Sequence, residues 1–374
     1  MRIIILLYCG GQNIREARRL ARFYSMKAAV LYANEDIRYS DWPEPEVAPG
    51  TVKIAVRAAG ICGSDVPRVL DHAAHYYPIV LGHEFSGVVT ETGEGVAKVA
   101  QGDHVSGVPL KPCMKCPDCA RGNFSQCKHY SFIGSREQGA FAEYIVIPET
   151  NAVKLEPEIS FEQGALFEPS SVCLHAMRCA GYAGGGNVAV LGCGTIGIFT
   201  MQWAKIFGSR TVTSFATSRK SLELASRMGA DYTINTKDED FYEKAMEITG
   251  GAGFDYVFES AGSNMTHVLA LKLAGNHAHV CYVGTPKSPL TFTVPEWENL
   301  NRKELKVTGS WMSGGAPYPG SDWELTGQCF ADGRLKYDPA LFHAVYPLSD
   351  CEKAFREYKT PGRVKGRILF RIGE

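Results

Sequence analysis

The chain lacks several features that would set its class at once. Nowhere in its 374 residues is there an apolar run of about 18 residues, the length a transmembrane helix needs. Its 39 Lys and Arg balance 40 Asp and Glu, so no overall field favours nucleic acid or an anionic membrane. Internal repeats are also absent. The length of this globular chain predicts two domains, and the composition favours an enzyme that acts on small molecules.

The first 25 residues carry a short apolar run, Ile3 to Leu7, without the small-residue cleavage site that a secretory signal needs. A β pattern begins at Met26, so we interpret residues 1–25 as a non-native or frayed extension. Because no secretory signal is visible, we expect a cytoplasmic protein whose twelve cysteines are thiols rather than disulfides.

Two patterns divide the chain. Short alternating strands broken by Gly and Pro, such as Val52 to Val56, predict a compact, mostly antiparallel β domain. A helical stretch from Phe161 to Cys179 leads out of it, and the glycines between Gly181 and Gly186 mark a boundary. We therefore assign residues 26–180 to the first domain.

From Asn187 to Thr308, six short apolar strands alternate with helical stretches, which predicts a doubly wound parallel sheet within residues 181–312. The remaining residues, 313–374, leave this sheet. Their last strand, Arg367 to Phe370, is expected to return to the first domain.

Four cysteines form the strongest motif: Cys113, Cys116, Cys119 and Cys127, in the spacing C-x2-C-x2-C-x7-C. Four thiolates close a tetrahedron around Zn²⁺ and leave no open position, so the predicted site is structural. An iron–sulfur cluster also takes four thiolates. The longer last spacing and the absence of a redox partner favour zinc.

A second group of metal ligands begins with Cys62 and His83. A thiolate and an imidazole suit a catalytic zinc, which takes three protein ligands and keeps one position open. We predict Glu168 as the third ligand, because a carboxylate in an apolar helical stretch needs compensation; the alternative is a solvated residue at a helix start. Glu84 is a competing oxygen ligand. It could coordinate the metal directly, or lie behind the metal and exchange with water.

Two neighbours of Cys62 complete this candidate catalytic site. Asp65 is placed to accept the free N–H of a liganding imidazole and so fix its tautomer. Ser64 is placed to accept the proton of a zinc-bound hydroxyl, although a serine here also suits a simple turn.

A glycine-rich motif, G-x-G-x-x-G, follows a predicted strand and opens a predicted helix, at Gly192, Gly194, Thr195, Ile196 and Gly197. The glycines permit a tight turn and a close backbone approach, and the N-terminus of the helix faces a pyrophosphate. This context predicts dinucleotide binding.

The next strand favours NADP over NAD. An NAD site has an acidic residue about 20 positions after the motif, but none occurs between Ile206 and Leu222. Ala216 leaves room for a 2′-phosphate, which Ser218, Arg219 and Lys220 can bind through charge-assisted hydrogen bonds. The alternative, a solvated helix start, is less attractive because basic residues there oppose the helix dipole.

Together these motifs resemble the zinc-dependent medium-chain alcohol and polyol dehydrogenases from Met26 onward. The stretch Gly82 to Gly87, the four-cysteine lobe and the glycine motif occur in that family's order. The resemblance implies a GroES-like catalytic domain joined to a Rossmann domain, with Cys62, His83 and Glu168 on a catalytic zinc and a second, structural zinc on the four cysteines. It also implies a homodimer or homotetramer joined through the nucleotide domains.

Within that family, five stretches resemble the branch that acts on galactitol 1-phosphate; they are residues 62–68, 74–78, 132–136, 141–146 and 309–312. Two departures stand out. Members of the branch carry Asp where this chain has Ala216, and many alcohol dehydrogenases have a relay His where it has Pro67. A phosphorylated substrate needs a cation, for which we predict Arg136 and then Arg68; either side chain could instead form a salt bridge.

The sequence thus predicts hydride transfer from a secondary alcohol of a polyol, specifically of a sugar-alcohol phosphate, to a nicotinamide cofactor. The zinc would act as a Lewis acid in the cleft between the domains, with Ser64 passing the proton outward. Alternatives are a sorbitol-type or threonine-type dehydrogenase and, outside enzymes, a nucleotide-binding zinc scaffold.

Overall fold

The computed structural model describes residues 25–286 and 288–373. The expectation for residues 1–25 lies outside this range except for Ser25, which begins the first strand. Within the described residues, no helix is long and apolar enough to cross a membrane.

The strands, in chain order, are β1 (Ser25–Ala33), β2 (Asp36–Pro43), β3 (Thr51–Ile61), β4 (Ile79–Val80), β5 (Glu84–Thr92), β6 (His104–Gly107), β7 (Leu110–Lys111), β8 (Ser131–Phe132), β9 (Tyr144–Pro148), β10 (Ala152–Lys154), β11 (Asn187–Leu191), β12 (Thr211–Ala216), β13 (Tyr232–Asn235), β14 (Phe254–Glu259), β15 (Ala274–Tyr282), β16 (Lys306–Gly309), β17 (Phe342–Pro347) and β18 (Arg367–Arg371). The α-helices are α1 (Asp65–Leu70), α2 (Pro117–Ala120), α3 (Phe161–Ala165), α4 (Phe167–Cys179), α5 (Thr195–Ile206), α6 (Arg219–Met228), α7 (Phe241–Ile248), α8 (Asn264–Leu273), α9 (Val294–Arg302), α10 (Ser321–Ala331) and α11 (Cys351–Arg356).

The first half of the chain folds into mostly antiparallel sheets. The larger one runs in the order β10-β6-β5-β3-β18-β17, with β9 also paired to β3, and a smaller one runs β2-β1-β4. In β3 the alternate residues Val52, Ile54 and Val56 are fully buried, as expected for a strand with one face on the core. Strand β18 pairs antiparallel with β3, so that Ile368 lies opposite Ile61. The C-terminal segment therefore returns to the first domain.

The second half builds a parallel sheet in the order β13-β12-β11-β14-β15-β16. Its central strand, β11, is buried from Val188 to Leu191, because helices cover both faces of a doubly wound sheet. The strand order reverses between β11 and β14. The predicted fold class, an antiparallel catalytic domain with a doubly wound parallel-sheet domain, is confirmed.

The junction between the two domains differs from the single helix predicted over 161–179. The structure has two helices, α3 and α4, separated by Leu166. Pro169 explains the break, because its ring would clash with the carbonyl of Ala165 in a continuous helix but is tolerated in the first turn of a new one. The break places Glu168 in the first turn of α4.

Helix α4 packs against α5 of the second domain and against α10. Phe167 stacks on Phe330 with ring centroids 5.5 Å apart, and the indole N–H of Trp203 donates to the carbonyl oxygen of Ser170 at 3.0 Å. Both Phe167 and Trp203 are fully buried. Glu168 is therefore carried on a rigid element at the domain junction.

Candidate active site

The pairing of β3 with β5 brings Cys62 and His83 together. Cys62 directly follows β3 and His83 directly precedes β5, and the antiparallel register sets Gly60 opposite Glu84. The end of one strand therefore lies beside the start of the other. Ligand atoms of Cys62, His83 and Glu84 all lie within 4.8 Å of one another.

Asp65 contacts both Cys62 and His83. Its carboxylate is fully buried and accepts the backbone N–H of Cys62 at 3.0 Å. Its other oxygen lies 3.5 Å from Nδ1 of His83 and 3.3 Å from the guanidinium of Arg68. Nδ1 of His83 thus faces Asp65, which leaves Nε2 for a metal.

The charges around Cys62 favour its thiolate. Burial by itself raises the pKa of Cys62, but the charge of His83, its hydrogen bond and the charge of Arg367 outweigh that effect and bring the pKa to about 5. Burial lowers the pKa of His83, and the charges of Asp65 and Cys62 raise it well above its ordinary value. A thiolate and a cation side by side mark a place where a metal would replace the proton.

Glu84 already has a partner. Its carboxylate is fully buried, with one oxygen 2.8 Å from the guanidinium of the buried Arg367 at the start of β18. Burial raises the pKa of Glu84, against the opposing charge of Arg367. Sequence reasoning missed Arg367, although a lone arginine opening the apolar strand Ile368 to Phe370 was a visible signal.

Glu168 lacks such a partner. Its side chain is buried, with 8% exposed, and none of the described residues donates a hydrogen bond to its carboxylate. Burial raises the pKa of Glu168 to about 7, partly offset by the charge of His83. The ligand atoms within 4.8 Å of one another include those of Glu84 and not those of Glu168. A cation beside Cys62 and His83 would still relieve this uncompensated carboxylate.

The four-cysteine lobe has the dimensions of a tetrahedral thiolate site. The sulfur of Cys116 lies 3.5 Å from that of Cys119 and 3.9 Å from that of Cys127, and the Cys113 and Cys119 sulfurs are 4.0 Å apart. Zn–S bonds of about 2.3 Å in a tetrahedron require sulfurs roughly 3.8 Å apart. Backbone hydrogen bonding, chiefly from Cys119, lowers the pKa of Cys116 to about 6 despite burial. The donor set fits a closed zinc site.

The glycine motif has the strand–turn–helix geometry that phosphate binding requires. Gly192 follows β11 with φ of +105°, and Gly194 caps α5. A Cβ added to Gly197 would lie 1.8 Å from the carbonyl oxygen of Gly192, so only glycine allows this close packing. The backbone of Thr195 and Ile196 begins α5, whose free N–H groups face outward from the turn.

The residues predicted for a 2′-phosphate lie beside this turn. Ala216 ends β12, and Ser218 caps α6 by accepting the N–H of Ser221. Arg219 is exposed. Lys220 lines a cavity of about 140 Å³ together with Gly194 and Thr195. No acidic side chain follows β12 before Glu223.

Comparison with known proteins agrees with this geometry. Residues 48–157 match the alcohol dehydrogenase GroES-like domain, and residues 195–327 match the zinc-binding dehydrogenase family. The chain is 38% identical to galactitol 1-phosphate 5-dehydrogenase of Escherichia coli K12 over 85% of its own length and 92% of that protein. The chain belongs to the zinc-dependent medium-chain dehydrogenases.

Two solved structures resemble this dehydrogenase closely. Galactitol-1-phosphate dehydrogenase from Escherichia coli superimposes with a TM-score of 0.87 at 36% identity, covering 92% of this chain and 100% of that one. A zinc-binding dehydrogenase from Sinorhizobium meliloti 1021, solved with NADP bound, gives a TM-score of 0.84 at 28% identity, covering 93% and 99%. The predicted family and the predicted class of enzyme, a zinc-dependent alcohol or polyol oxidoreductase, are confirmed.

Two arginines, Arg68 and Arg136, lie near the stretches that carry Cys62 and His83. Arg68 donates to the carbonyl and hydroxyl oxygens of Ser64 at 2.7 and 2.9 Å. Arg136 stacks over the ring of Tyr130 at 4.5 Å and donates to its hydroxyl at 3.3 Å. Burial and then the charges of Arg136 and Arg68 lower the pKa of His75. Both arginines therefore lie within electrostatic reach of His75, which sequence reasoning did not identify.

Proposed function

We propose that this dehydrogenase oxidises a secondary alcohol of a sugar-alcohol phosphate, of the galactitol 1-phosphate type, to a ketone. The observation that carries the proposal is that two arginines lie close to the Cys62–His83 pair. Arg68 donates to the hydroxyl oxygen of Ser64 at 2.9 Å. The backbone N–H of Arg136 donates to the carbonyl oxygen of Phe132 at 2.9 Å, and the ring of Phe132 packs edge-on against His83 with centroids 5.3 Å apart. A phosphate dianion is bound best by arginines through charge-assisted hydrogen bonds. The similarity to galactitol 1-phosphate 5-dehydrogenase supports the same substrate class.

We infer that Cys62, His83 and Glu168 hold the catalytic zinc. Neither Glu84 nor Glu168 accepts a hydrogen bond from the described residues. Glu84 forms an ion pair with Arg367 at 2.8 Å, whereas Glu168 forms none with a described residue. Of the two carboxylates, Glu168 therefore gains more from a bound cation. When bound there, Zn²⁺ supplies Lewis acidity that lowers the pKa of the substrate hydroxyl.

The chain's own residues handle orientation and the proton. Asp65 holds the tautomer of His83 through Nδ1. Ser64 is exposed, and its hydroxyl oxygen accepts from Arg68, which leaves its own proton free to move toward solvent. With a nicotinamide cofactor bound, the ring would accept the substrate's C–H hydrogen as hydride, and Ser64 would pass the hydroxyl proton toward solvent. This path takes the place of the relay histidine, whose position holds Pro67.

The cofactor is proposed to be NADP rather than NAD. Ala216 at the end of β12 presents no carboxylate to a ribose 2′-hydroxyl, and Lys220 lines the cavity beside Gly194. A 2′-phosphate placed there meets a cation and the capping Ser218. A structural neighbour was solved with NADP bound.

We also propose that two copies associate through the β16 edge of the parallel sheet. Helix α9 has no buried residue, and Val294 and Trp297 on it are 75% and 50% exposed. Val307 on β16 and the following Trp311 are 42% and 53% exposed. An edge strand flanked by exposed apolar side chains is suited to pair with another strand, and a second copy supplies an identical one.

The substrate is tested by initial rates of the zinc-loaded enzyme with galactitol 1-phosphate and with free galactitol, each with NADP⁺ and NAD⁺. We expect the phosphate ester and NADP⁺ to be preferred. Arg136→Ala should raise KM for the phosphate ester by about tenfold, the value of one charge-assisted contact, and leave KM for free galactitol unchanged.

Arg38→Ala is the matched control, since Arg38 is also exposed and stacks over a tyrosine, Tyr32, at 5.4 Å. It should change neither KM. Equal rates with the free polyol would instead identify a general polyol dehydrogenase of the sorbitol type. A preference for NAD⁺ would show that Ala216 and Lys220 do not select the cofactor.

A further inference from the structure

Glu259 is a buried carboxylate with no role in the mechanism above. It is the last residue of β14, and its side chain is fully buried. Strand β14 lies next to β11, at the place where the strand order reverses. In open α/β sheets, dinucleotides bind across the crevice at the carboxyl ends of the strands on either side of that reversal. Glu259 therefore lies beneath the proposed nucleotide crevice.

One oxygen of this carboxylate holds the loop that follows β14. Oε1 accepts the backbone N–H groups of Ala261 and Gly262, each at 2.8 Å. It also accepts the hydroxyl of Thr266 at 2.8 Å. Three donors on one oxygen fix the backbone of this loop at the end of the strand.

The same residue also anchors the loop after β15. Its backbone carbonyl oxygen accepts the N–H groups of Val283 at 2.8 Å and Gly284 at 2.9 Å. The two loops pack without side chains between them: a Cβ on Gly284 would lie 2.5 Å from the nitrogen of Gly262 and 2.7 Å from Oε2 of Glu259. One residue thus sets the separation of both loops.

The loop after β14 in turn forms a wall of the glycine turn. The hydroxyl of Ser260 donates to the carbonyl oxygen of Leu191 at 2.9 Å. A Cβ on Gly192 would lie 3.0 Å from the Ser260 hydroxyl oxygen and 3.1 Å from Cβ of Ala261. Any displacement of Ala261 therefore changes the space beside the glycine turn.

Stability alone does not require this arrangement. Oε2 accepts no hydrogen bond from the described residues, and the nearby Nδ1 of His267, at 3.6 Å, is engaged with the carbonyl oxygen of Ser263 at 2.8 Å. A buried, incompletely paired carboxylate costs stability. What it provides in return is a fixed backbone at Ala261 and Gly262.

We propose that Glu259 is a positioning residue that fixes the two loops facing the nicotinamide half of the dinucleotide. The sheet consists of two mononucleotide-binding halves. The β11–β13 half carries Ala216 and Lys220, the residues proposed for the adenosine ribose, so the β14–β16 half faces the nicotinamide. The proposal rests on the proposed function, because it requires a nicotinamide dinucleotide in this crevice.

The test is equilibrium binding, without turnover, to the zinc-loaded protein. The probes are NADPH and NADH, followed by nicotinamide fluorescence, and the matching adenosine fragments, adenosine 2′,5′-bisphosphate and ADP, followed by calorimetry. Glu259→Gln keeps the shape of the side chain and one acceptor oxygen but removes the charge. Glu259→Gln should raise the Kd of whichever dinucleotide the unsubstituted protein binds more tightly by about tenfold, as the loss of a charge-assisted hydrogen bond predicts. The Kd of the matching adenosine fragment should stay unchanged.

Gly284→Ala disturbs the same two loops while keeping the Glu259 carboxylate, because its methyl group would press on Oε2 of Glu259. It should also weaken the dinucleotide selectively. Asp322→Asn is the matched control, because Asp322 in α10 is also a buried carboxylate and pairs with Arg178 of α4. It should lower the melting temperature without changing either Kd.

An unchanged dinucleotide Kd in both Glu259→Gln and Gly284→Ala would overturn the proposal. Equal weakening of dinucleotide and fragment would also overturn it, because it would mean a general loosening of the domain. If the unsubstituted protein binds neither dinucleotide, the proposed function itself fails, and the role of Glu259 fails with it.

Discussion

At the scale of single residues, the candidate site is defined by which buried charges are compensated. Glu84 and Arg367 form a buried ion pair, while Glu168 has no ion-pair partner among the described residues. A bound metal ion would therefore stabilise the ionised form of Glu168 more than that of Glu84. This difference supports Glu168 as the proposed third zinc ligand, whereas distance favours Glu84, whose ligand atoms lie within 4.8 Å of those of Cys62 and His83.

The pair Glu84–Arg367 leads to a prediction about stability. Arg367→Met should destabilise the zinc-loaded protein by roughly 3 kcal/mol, because removing one partner leaves a buried charge unpaired. The double substitution Glu84→Gln with Arg367→Met should recover most of that loss. Denaturant unfolding followed by circular dichroism measures both.

Arg371→Met serves as the control for this comparison. Arg371 lies on the same strand, is 47% exposed and pairs with Glu162 at 3.0 Å; a surface pair of this kind contributes about 1 kcal/mol or less. If Arg371→Met lowers the free energy of unfolding as much as Arg367→Met does, the buried pair contributes no more to stability than the surface pair.

At the scale of elements, the four-cysteine lobe is too small to be stable by its own apolar contacts. It consists of two-residue strands and the short helix α2, with a core made mainly of Leu110, Phe124, Phe132 and the cysteines themselves. Such a segment depends on a bound metal for its folded state. It packs on the segment after β16, where Phe124 meets Tyr318 with ring centroids 5.4 Å apart.

If the four cysteines hold a structural zinc as proposed, Cys119→Ser should remove one zinc ion per chain and expose the lobe to proteolysis. The expected cleavage lies between residues 113 and 127, because the loop loses its only strong cross-link. Metal analysis and limited proteolysis with mass spectrometry measure these effects. Cys329→Ser, at a buried cysteine in α10 outside the lobe, should keep both ions; a loss of zinc in both variants would contradict the assignment.

At the scale of the whole molecule, the two edges of the parallel sheet are not equivalent. The β16 edge combines Val307 with the unburied helix α9 and its exposed Trp297. The opposite edge, β13, exposes Tyr232, and helices α6 and α7 contact that strand. The apolar surface around β16 is therefore the better candidate for association of two copies.

Val307→Lys should shift the protein from dimer or larger to monomer, because a charge on the edge strand opposes strand pairing between copies. Light scattering after size-exclusion chromatography measures the mass. Tyr232→Lys, the same kind of change at the other edge strand, should leave the mass unchanged. A monomeric unsubstituted protein, or equal effects of both changes, would contradict association through β16.

The sequence by itself determined the class of the protein and most of the local elements. The change of period at Asn187, the glycine motif and the four-cysteine spacing are local patterns, and they require only neighbouring residues to be interpreted. For this reason the two-domain α/β architecture and the zinc-dependent dehydrogenase family could be predicted. Even the interrupted helix before Cys179 had a local cause in Pro169, which the sequence reasoning did not use.

Only the tertiary structure decided which distant residues meet. The register of β3 against β5 sets Cys62 beside His83, the return of β18 brings Arg367 to Glu84, and the end of β14 places Glu259 beneath the glycine turn. The sequence marked Cys62 and His83 as candidates, but spacing alone does not show which residues meet, because strand pairing joins segments at any separation along the chain. Burial and the neighbouring charges together then set the pKa of each group, and both are properties of the packed molecule.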